Sequence, residues 1–169
     1  MILVKLLEEI PFFVDFTREE KQLLANNDSF FANLQPGEVL LREGTVDDGA
    51  FFVLVKGRVD VLSGEEDPRV LATLEPGTVL GEVAFLVGGP RTSTVVAHDP
   101  VTVFKVDAEV MQACDLTVQV KIKDNLLMAL VGHLKECNRN LLRQKDINQT
   151  LARALHDLSL RIQNQRKES

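Results

Sequence analysis

The sequence predicts an α+β chain: an antiparallel β jelly-roll barrel with an N-terminal helix and one short internal helix, then long C-terminal helices forming a coiled coil. Three observations carry that expectation. Between residues 29 and 106 the chain runs in short β-like stretches separated by turn residues, and strands recurring about every 8–12 residues argue for an antiparallel barrel or jelly roll. After Asp107 the apolar period becomes helical and stays so to residue 169. Composition changes at the same place: all nine Phe lie within the first 104 residues, and Trp and Tyr are absent. Residues 1–117 carry 9 basic and 20 acidic side chains, net −11, whereas 118–169 carry 10 basic and 5 acidic, net +5, which together give the chain's −6. The expected division is a barrel domain with its N-terminal helix over 1–117 and a helical dimerisation region over 118–169.

Each element follows from local chemistry. Thr17-Arg18-Glu19-Glu20 is a capping box, in which the Thr17 hydroxyl and the Glu20 carboxylate each satisfy a free amide at a helix start. Ahead of it, IPFFVDF at 10–16 holds a Pro and reads as a turn that plugs a core rather than as a strand. The expected strands are 30–34, 38–42, 50–55, 58–62, 69–74, 94–97 and 101–106, with Pro-Gly, Lys-Gly, Ser-Gly, Gly-Gly-Pro and Asp-Pro turns between them. Asp107 caps a short helix over 108–114, and a longer helical stretch begins near Thr117.

Alternating steps of three and four from Leu127 define a heptad seam. Leu127, Leu134, Leu141, Asn148, Leu155 and Ile162 fall at a, and Leu130, Cys137, Gln144, Leu151, Leu158 and Gln165 at d. One Asn at an a position fixes register in two-stranded parallel coiled coils, because its amide pairs across the seam. The competing reading breaks the helix near Asp146, so that two helices fold back on the barrel. Cys114 and Cys137 form neither a disulfide framework nor a metal-ligand spacing, and both read as buried thiols.

The stretch GTVLGEVAFLVGGPRTSTV, residues 77–95, carries the chemistry. A turn delivers Gly81 to the start of a short helix over 82–86, whose free amides suit an anion. The Gly88-Gly89-Pro90 loop then returns the chain so that Arg91 opens the next strand. A guanidinium beside those amides suits a phosphate, to which its planar fork donates two parallel hydrogen bonds. Glu82 would repel that phosphate, and so is assigned to a hydroxyl-bearing part of the ligand. The small side chains at Gly81, Ala84 and Ser93 leave room for close approach.

Gly81-Glu82-Val83-Ala84 with Pro90-Arg91-Thr92-Ser93-Thr94-Val95 resembles the phosphate-binding cassette of the cyclic nucleotide-binding domain family, which includes the catabolite activator protein and the regulatory subunits of cAMP-dependent protein kinase. The likeness covers roughly residues 10–142, and extends to the first hairpins through Pro36-Gly37-Glu38, Glu43-Gly44, Lys56-Gly57 and neighbouring apolar positions. The resemblance implies that Arg91 binds the exocyclic phosphate and Glu82 the ribose 2′-hydroxyl. The amides of Val83 and Ala84 and the Thr92 hydroxyl or amide would complete the phosphate shell. It also makes Leu71 and Val83 candidates for apolar contact with the base, and places Asn138, Arg139, Asn140 and Leu142 where the family's post-barrel helix closes over it. Ser93 stands where the motif commonly has Ala.

The implied activity is a cyclic nucleotide sensor, with cAMP the first ligand and cGMP the second, signalling through the C-terminal helices of a homodimer to an effector protein. The alternative is a ligand-free scaffold and dimerisation module that keeps the fold. Catalysis is not expected, because a metal-dependent jelly-roll site needs two or three His with a carboxylate, and only His98 is near the barrel. No metal and no further cofactor are expected. Specific DNA binding is not expected either, because 118–169 offers one helical tail rather than a helix-turn-helix module. No apolar run approaches the roughly 18 residues of a bilayer span, and Lys5, Glu8 and Glu9 interrupt the N-terminal stretch. The sequence therefore reads as a cytoplasmic protein without a signal peptide.

Overall fold

A computed structural model describes residues 2–64 and 68–165, with side chains for 3–64, 68–145 and 147–149. Two antiparallel four-stranded sheets face each other as a jelly-roll sandwich. The strands are β1 (Phe31–Leu34), β2 (Val39–Leu41), β3 (Phe51–Lys56), β4 (Val59–Ser63), β5 (Arg69–Leu74), β6 (Val79–Leu80), β7 (Thr94–Ala97) and β8 (Val101–Val106). One sheet has the order β1-β8-β3-β6 and the other β2-β7-β4-β5. The expected strands are all present, three of them with the expected bounds. The two-residue β6 was not expected, since Val79–Leu80 is too short to show a period. It pairs with β3, where Phe52 faces Leu80 and Val53 faces Val79.

The helices are α1 (Ile2–Glu9), α2 (Arg18–Ala25), α3 (Glu82–Val87), α4 (Ala108–Ala113) and α5 (Leu116–Gln165). The capping box opens α2 as expected: the Thr17 amide donates to Glu20 Oε2 at 2.7 Å and the Glu20 amide to Thr17 Oγ1 at 3.2 Å. Asp107 caps α4, accepting from the Val110 amide at 3.0 Å. Helix α1 was not expected, because Lys5, Glu8 and Glu9 obscured its apolar face, yet Leu7 is fully buried. The Phe-rich turn is a single 3-10 turn over Pro11–Phe13.

That turn fills the outer face of the β1-β8-β3-β6 sheet. Phe13 stacks edge-on against Phe104 at 5.3 Å and Phe16 at 5.4 Å, a geometry that aligns each ring's positive edge with its neighbour's negative face. Phe12, Phe51, Val53, Val106 and Val110 belong to this cluster, and so do Val118, Ile122 and Leu126 from the first turns of α5. A second cluster, including Leu41, Leu54, Val59, Leu80, Val95 and Val103, lies between the sheets.

The compact units divide between Ala129 and Leu130, three helical turns beyond the compositional change at 117. The reason is packing: Val118, Ile122 and Leu126 recur at i, i+4 and i+8 and are buried against the Phe cluster. A part-buried ion pair fixes the same turns, with Lys121 Nζ at 2.6 and 2.8 Å from the Glu20 carboxylate and 5.7 Å from the Phe16 ring centroid.

Helix α5 runs unbroken through 144–148, so the expected alternative of a break near Asp146 is not what the chain forms. Along its seam Leu127, Leu134 and Leu141 are exposed, while Leu151, Leu155, Leu158, Ile162 and Gln165 lie outside the residues whose side chains are described. The expectation of two buried thiols is corrected for Cys137, which is exposed on α5, because a side chain on a single helix is buried only where another segment covers it. Cys114 is half-buried against the Phe cluster, and burial pushes its thiol above the ordinary value. No described helix is long and apolar enough to cross a membrane.

Ile122→Ala is expected to lower the unfolding free energy by about 2–5 kcal/mol, read as a lower urea midpoint. A chain cut after residue 129 should give a cooperative unfolding transition, and one cut after residue 117 should not, because it removes part of the core.

Candidate functional site

The site is built around one buried charge. Arg91 is 3% exposed, and a guanidinium in such a place requires carboxylate or carbonyl partners. Its Nε donates to Asp47 Oδ2 at 2.9 Å, and its Nη1 donates to the Gly81 carbonyl at 3.2 Å. Nη2 lies 2.7 Å from Asp47 Oδ1, so the Asp47 carboxylate meets the guanidinium along its Nε–Nη2 edge. The Arg91 backbone is fastened to the β2–β3 connection as well: its amide donates to the Thr45 carbonyl at 2.8 Å, and its carbonyl accepts from the Gly44 amide at 2.9 Å.

The 42–50 connection therefore grips Arg91 by both main chain and side chain. Asp47 is shaped for this by an Asx turn, its Oδ1 accepting from the Gly49 amide at 2.9 Å. The Arg91 hydrogen bond holds the Asp47 carboxyl below its ordinary value, helped by the Gly49 amide and opposed by partial burial. Asp48 Oδ1 stands 4.0 Å from Arg91 Nη2, and Asp48 Oδ2 accepts from Lys105 Nζ at 2.7 Å.

Gly81 sits where only glycine fits. Its φ is +75°, and a β-carbon there would lie 2.6 Å from Arg91 Nη1 and 3.3 Å from the Ala50 carbonyl oxygen. From it α3 runs Glu82–Val87, one residue longer than expected. Helix geometry leaves the amides of its first turn without intrahelical acceptors. Ala84 is buried, Val83 is exposed on one side, and Glu82 is half-buried. Thr92 is exposed and Ser93 half-buried on the approach to β7.

Gly81 and Arg91 are thus brought into direct contact, with Glu82, Val83 and Ala84 following on α3 and Thr92 and Ser93 following Arg91. Leu71 is 65% exposed on β5, an edge strand of the sheet that contains β7. Asn138, Arg139, Asn140 and Leu142 are exposed on α5 in the other compact unit. Among the described residues no group of three or more His, Cys, Asp or Glu is placed to hold a metal ion.

Sequence reasoning missed Asp47, Asp48 and Lys105. The sign it did contain was Asp47-Asp48-Gly49 in a turn, since an Arg destined for the interior must meet an anion. With 20 acidic residues in the first 117, nothing local selected that turn.

The cyclic nucleotide-binding domain family matches residues 31–115. The chain is 45% identical over 69 residues to the acetyltransferase Pat of Mycolicibacterium smegmatis, a stretch that is 40% of this chain and 20% of that protein. It is 31% identical over 131 residues to the cAMP-dependent protein kinase regulatory subunit of Yarrowia lipolytica, covering 77% of this chain and 31% of the relative. The chain therefore spans less than a third of the length of these relatives. A cyclic nucleotide-binding domain from Methylobacillus flagellatus superposes with a TM-score of 0.67 at 22% identity, over 84% of this chain and 82% of that one, which supports the fold. With a matched barrel, a buried Arg91 and a Gly81-opened α3 in contact with it, the chain belongs to the cyclic nucleotide-binding domain family.

Proposed function

We propose that this chain is a cyclic nucleotide sensor, with cAMP the first candidate ligand and cGMP the second, and that it signals to an effector protein through α5. The observation that carries the reading is the Arg91 guanidinium, buried in contact with the glycine that opens α3. A phosphate oxygen is the acceptor that chemistry favours there, because charge-assisted bonds to a guanidinium are about twice as strong as neutral ones. In this reading the Val83 and Ala84 amides, Thr92 and Ser93 surround the phosphate and Glu82 accepts from the ribose. The base meets Val83 and Leu71.

The chain acts as a regulatory rather than a catalytic domain, in the cytoplasm, without sequence-specific DNA binding. A homodimer formed through the α5 seam is supported by the exposed Leu127, Leu134 and Leu141 at a positions and by the unbroken helix that carries them. The output follows from linkage: the ligand must bind one arrangement of α5 more tightly than another. A ligand-free scaffold remains the second reading, and Asp47 is the observation that favours it, since this carboxylate already neutralises Arg91.

Calorimetry with cAMP and cGMP separates the two readings: binding of either supports a sensor, and binding of neither supports the scaffold. Arg91→Ala is expected to weaken binding by on the order of 2–4 kcal/mol, and unchanged affinity would remove Arg91 from the site. Gly81→Ala should destabilise the fold by about 1–2 kcal/mol through its left-handed backbone, seen as a lower melting temperature, and should weaken binding by displacing Arg91. Sedimentation tests the assembly: a chain ending at residue 144 should be monomeric at concentrations where the full chain is dimeric.

A further inference from the structure

The side chains that hold Arg91 do not stop at the cassette. β3 and β8 pair so that Phe52 faces Lys105 and Phe51 faces Val106. This register sets the Lys105 ammonium beside the turn that leads into β3, and Lys105 lies two residues before Asp107, the N-cap of α4. Lys105 Nζ is 2.7 Å from Asp48 Oδ2 and 2.9 Å from Asp107 Oδ2. Both carboxylates have second duties. Asp48 Oδ1 accepts from the Ala50 amide at 3.2 Å and lies 4.0 Å from Arg91 Nη2, and Asp107 Oδ1 caps α4 through the Val110 amide.

The series Arg91, Asp47 with Asp48, Lys105, Asp107 is a chain of alternating charge. It begins at the buried guanidinium and ends at the first turn of the helix that leads, through Cys114 and Asp115, into α5. Lys105 is its only cation between the two loops and has no atom in the cassette. Its ammonium is held above its ordinary value by the hydrogen bonds to Asp48 and then Asp107. Asp107 feels burial, which pushes its carboxyl up, but the Val110 amide and Lys105 outweigh it and hold the group below its ordinary value.

We propose that Lys105 is a positioning residue: it ties the carboxylate turn that holds Arg91 to the Asp107 cap of α4, so that a change of partner at Arg91 alters the stability of α4's first turn. The nucleotide-dependent part of this inference rests on the sensor reading, whereas the link from the 47–48 turn to the cap does not. A ligand phosphate that draws on Arg91 changes what Asp47 and Asp48 must balance. Lys105 then redistributes its two hydrogen bonds between Asp48 and Asp107. Reciprocity requires that whatever ligand does to the cap, loss of the cap does to ligand affinity in equal measure.

Amide hydrogen exchange on the full chain tests the link at two reporters, the Gly49 amide bonded to Asp47 and the Val110 amide bonded to Asp107. The Glu20 amide, bonded to Thr17, serves as a remote control. Without nucleotide, Lys105→Met should speed exchange at Gly49 and Val110 by about 1.5- to 5-fold, the range of a solvent-accessible ion pair. Lys105→Arg should restore it, and the Glu20 amide should not change. Asp47→Asn should alter exchange at Val110 in the wild-type background and not in the Lys105→Met background, which a merely local role for Lys105 would not produce. Unchanged exchange at Val110 in Lys105→Met, or equal effects of Asp47→Asn in both backgrounds, overturns the link whether or not any nucleotide binds. With saturating cAMP or cGMP, the wild type should change exchange at Val110 and Lys105→Met should not. The same variant should bind about 1.5- to 5-fold more weakly by calorimetry. If wild type binds neither nucleotide, the sensor reading fails and the first set of measurements still decides the link.

Discussion

A positive charge is buried in this barrel, and much of the local architecture exists to balance it. Arg91 is almost wholly inside the protein, so its guanidinium must be met by oxygens or leave an uncompensated charge, which costs about 3–5 kcal/mol when one member of a buried pair is removed. Asp47 supplies the carboxylate and Gly81 the carbonyl. Each imposes a condition on its own segment. The 42–50 connection has to fold back as an Asx turn with its amides and carbonyls on Arg91, and α3 has to open on a glycine, because any β-carbon at 81 would strike the guanidinium. The turn, the short helix and the approach to β7 are therefore three consequences of one pairing.

The same pairing explains how a site can be firm before a ligand arrives. A carboxylate on the Nε–Nη2 edge of Arg91 fixes the orientation of the planar fork before any ligand is present. Asp47 is itself partly open to solvent, so the pair is desolvated on one side only. On the proposed sensor reading this asymmetry would matter, since a phosphate would compete for, or share, a guanidinium whose counter-ion can rehydrate.

A second constraint sits at the junction of α4 and α5. Val118, Ile122 and Leu126 make the beginning of α5 part of the barrel's core, and the Glu20–Lys121 pair binds it to the capping box of α2. Charge and aromatic content change near 117, yet the packing boundary lies near 129. Composition marks where one kind of surface stops, and packing marks where burial stops; the first turns of a helix can be basic on one face and buried on another.

Local patterns determined a good deal in this sequence. Alternating apolar runs between Gly, Pro and Asp turns were enough for the sheets, Thr17 with Glu20 for the start of α2, Asp107 for the start of α4, and the 81–95 motif for the family. Those signals are encoded within a few residues of where they act. Only the tertiary structure decided which acidic side chain meets Arg91, that β6 pairs with β3, that Leu7 of α1 is core, that Cys137 is exposed, and that α5 continues through 144–148. Each of these depends on groups far apart in the chain, Asp47 and Arg91 being 44 residues apart. Such a pairing is selected by the fold that brings the two together and by the cost of leaving a buried charge alone, and neither is written in the residues on either side.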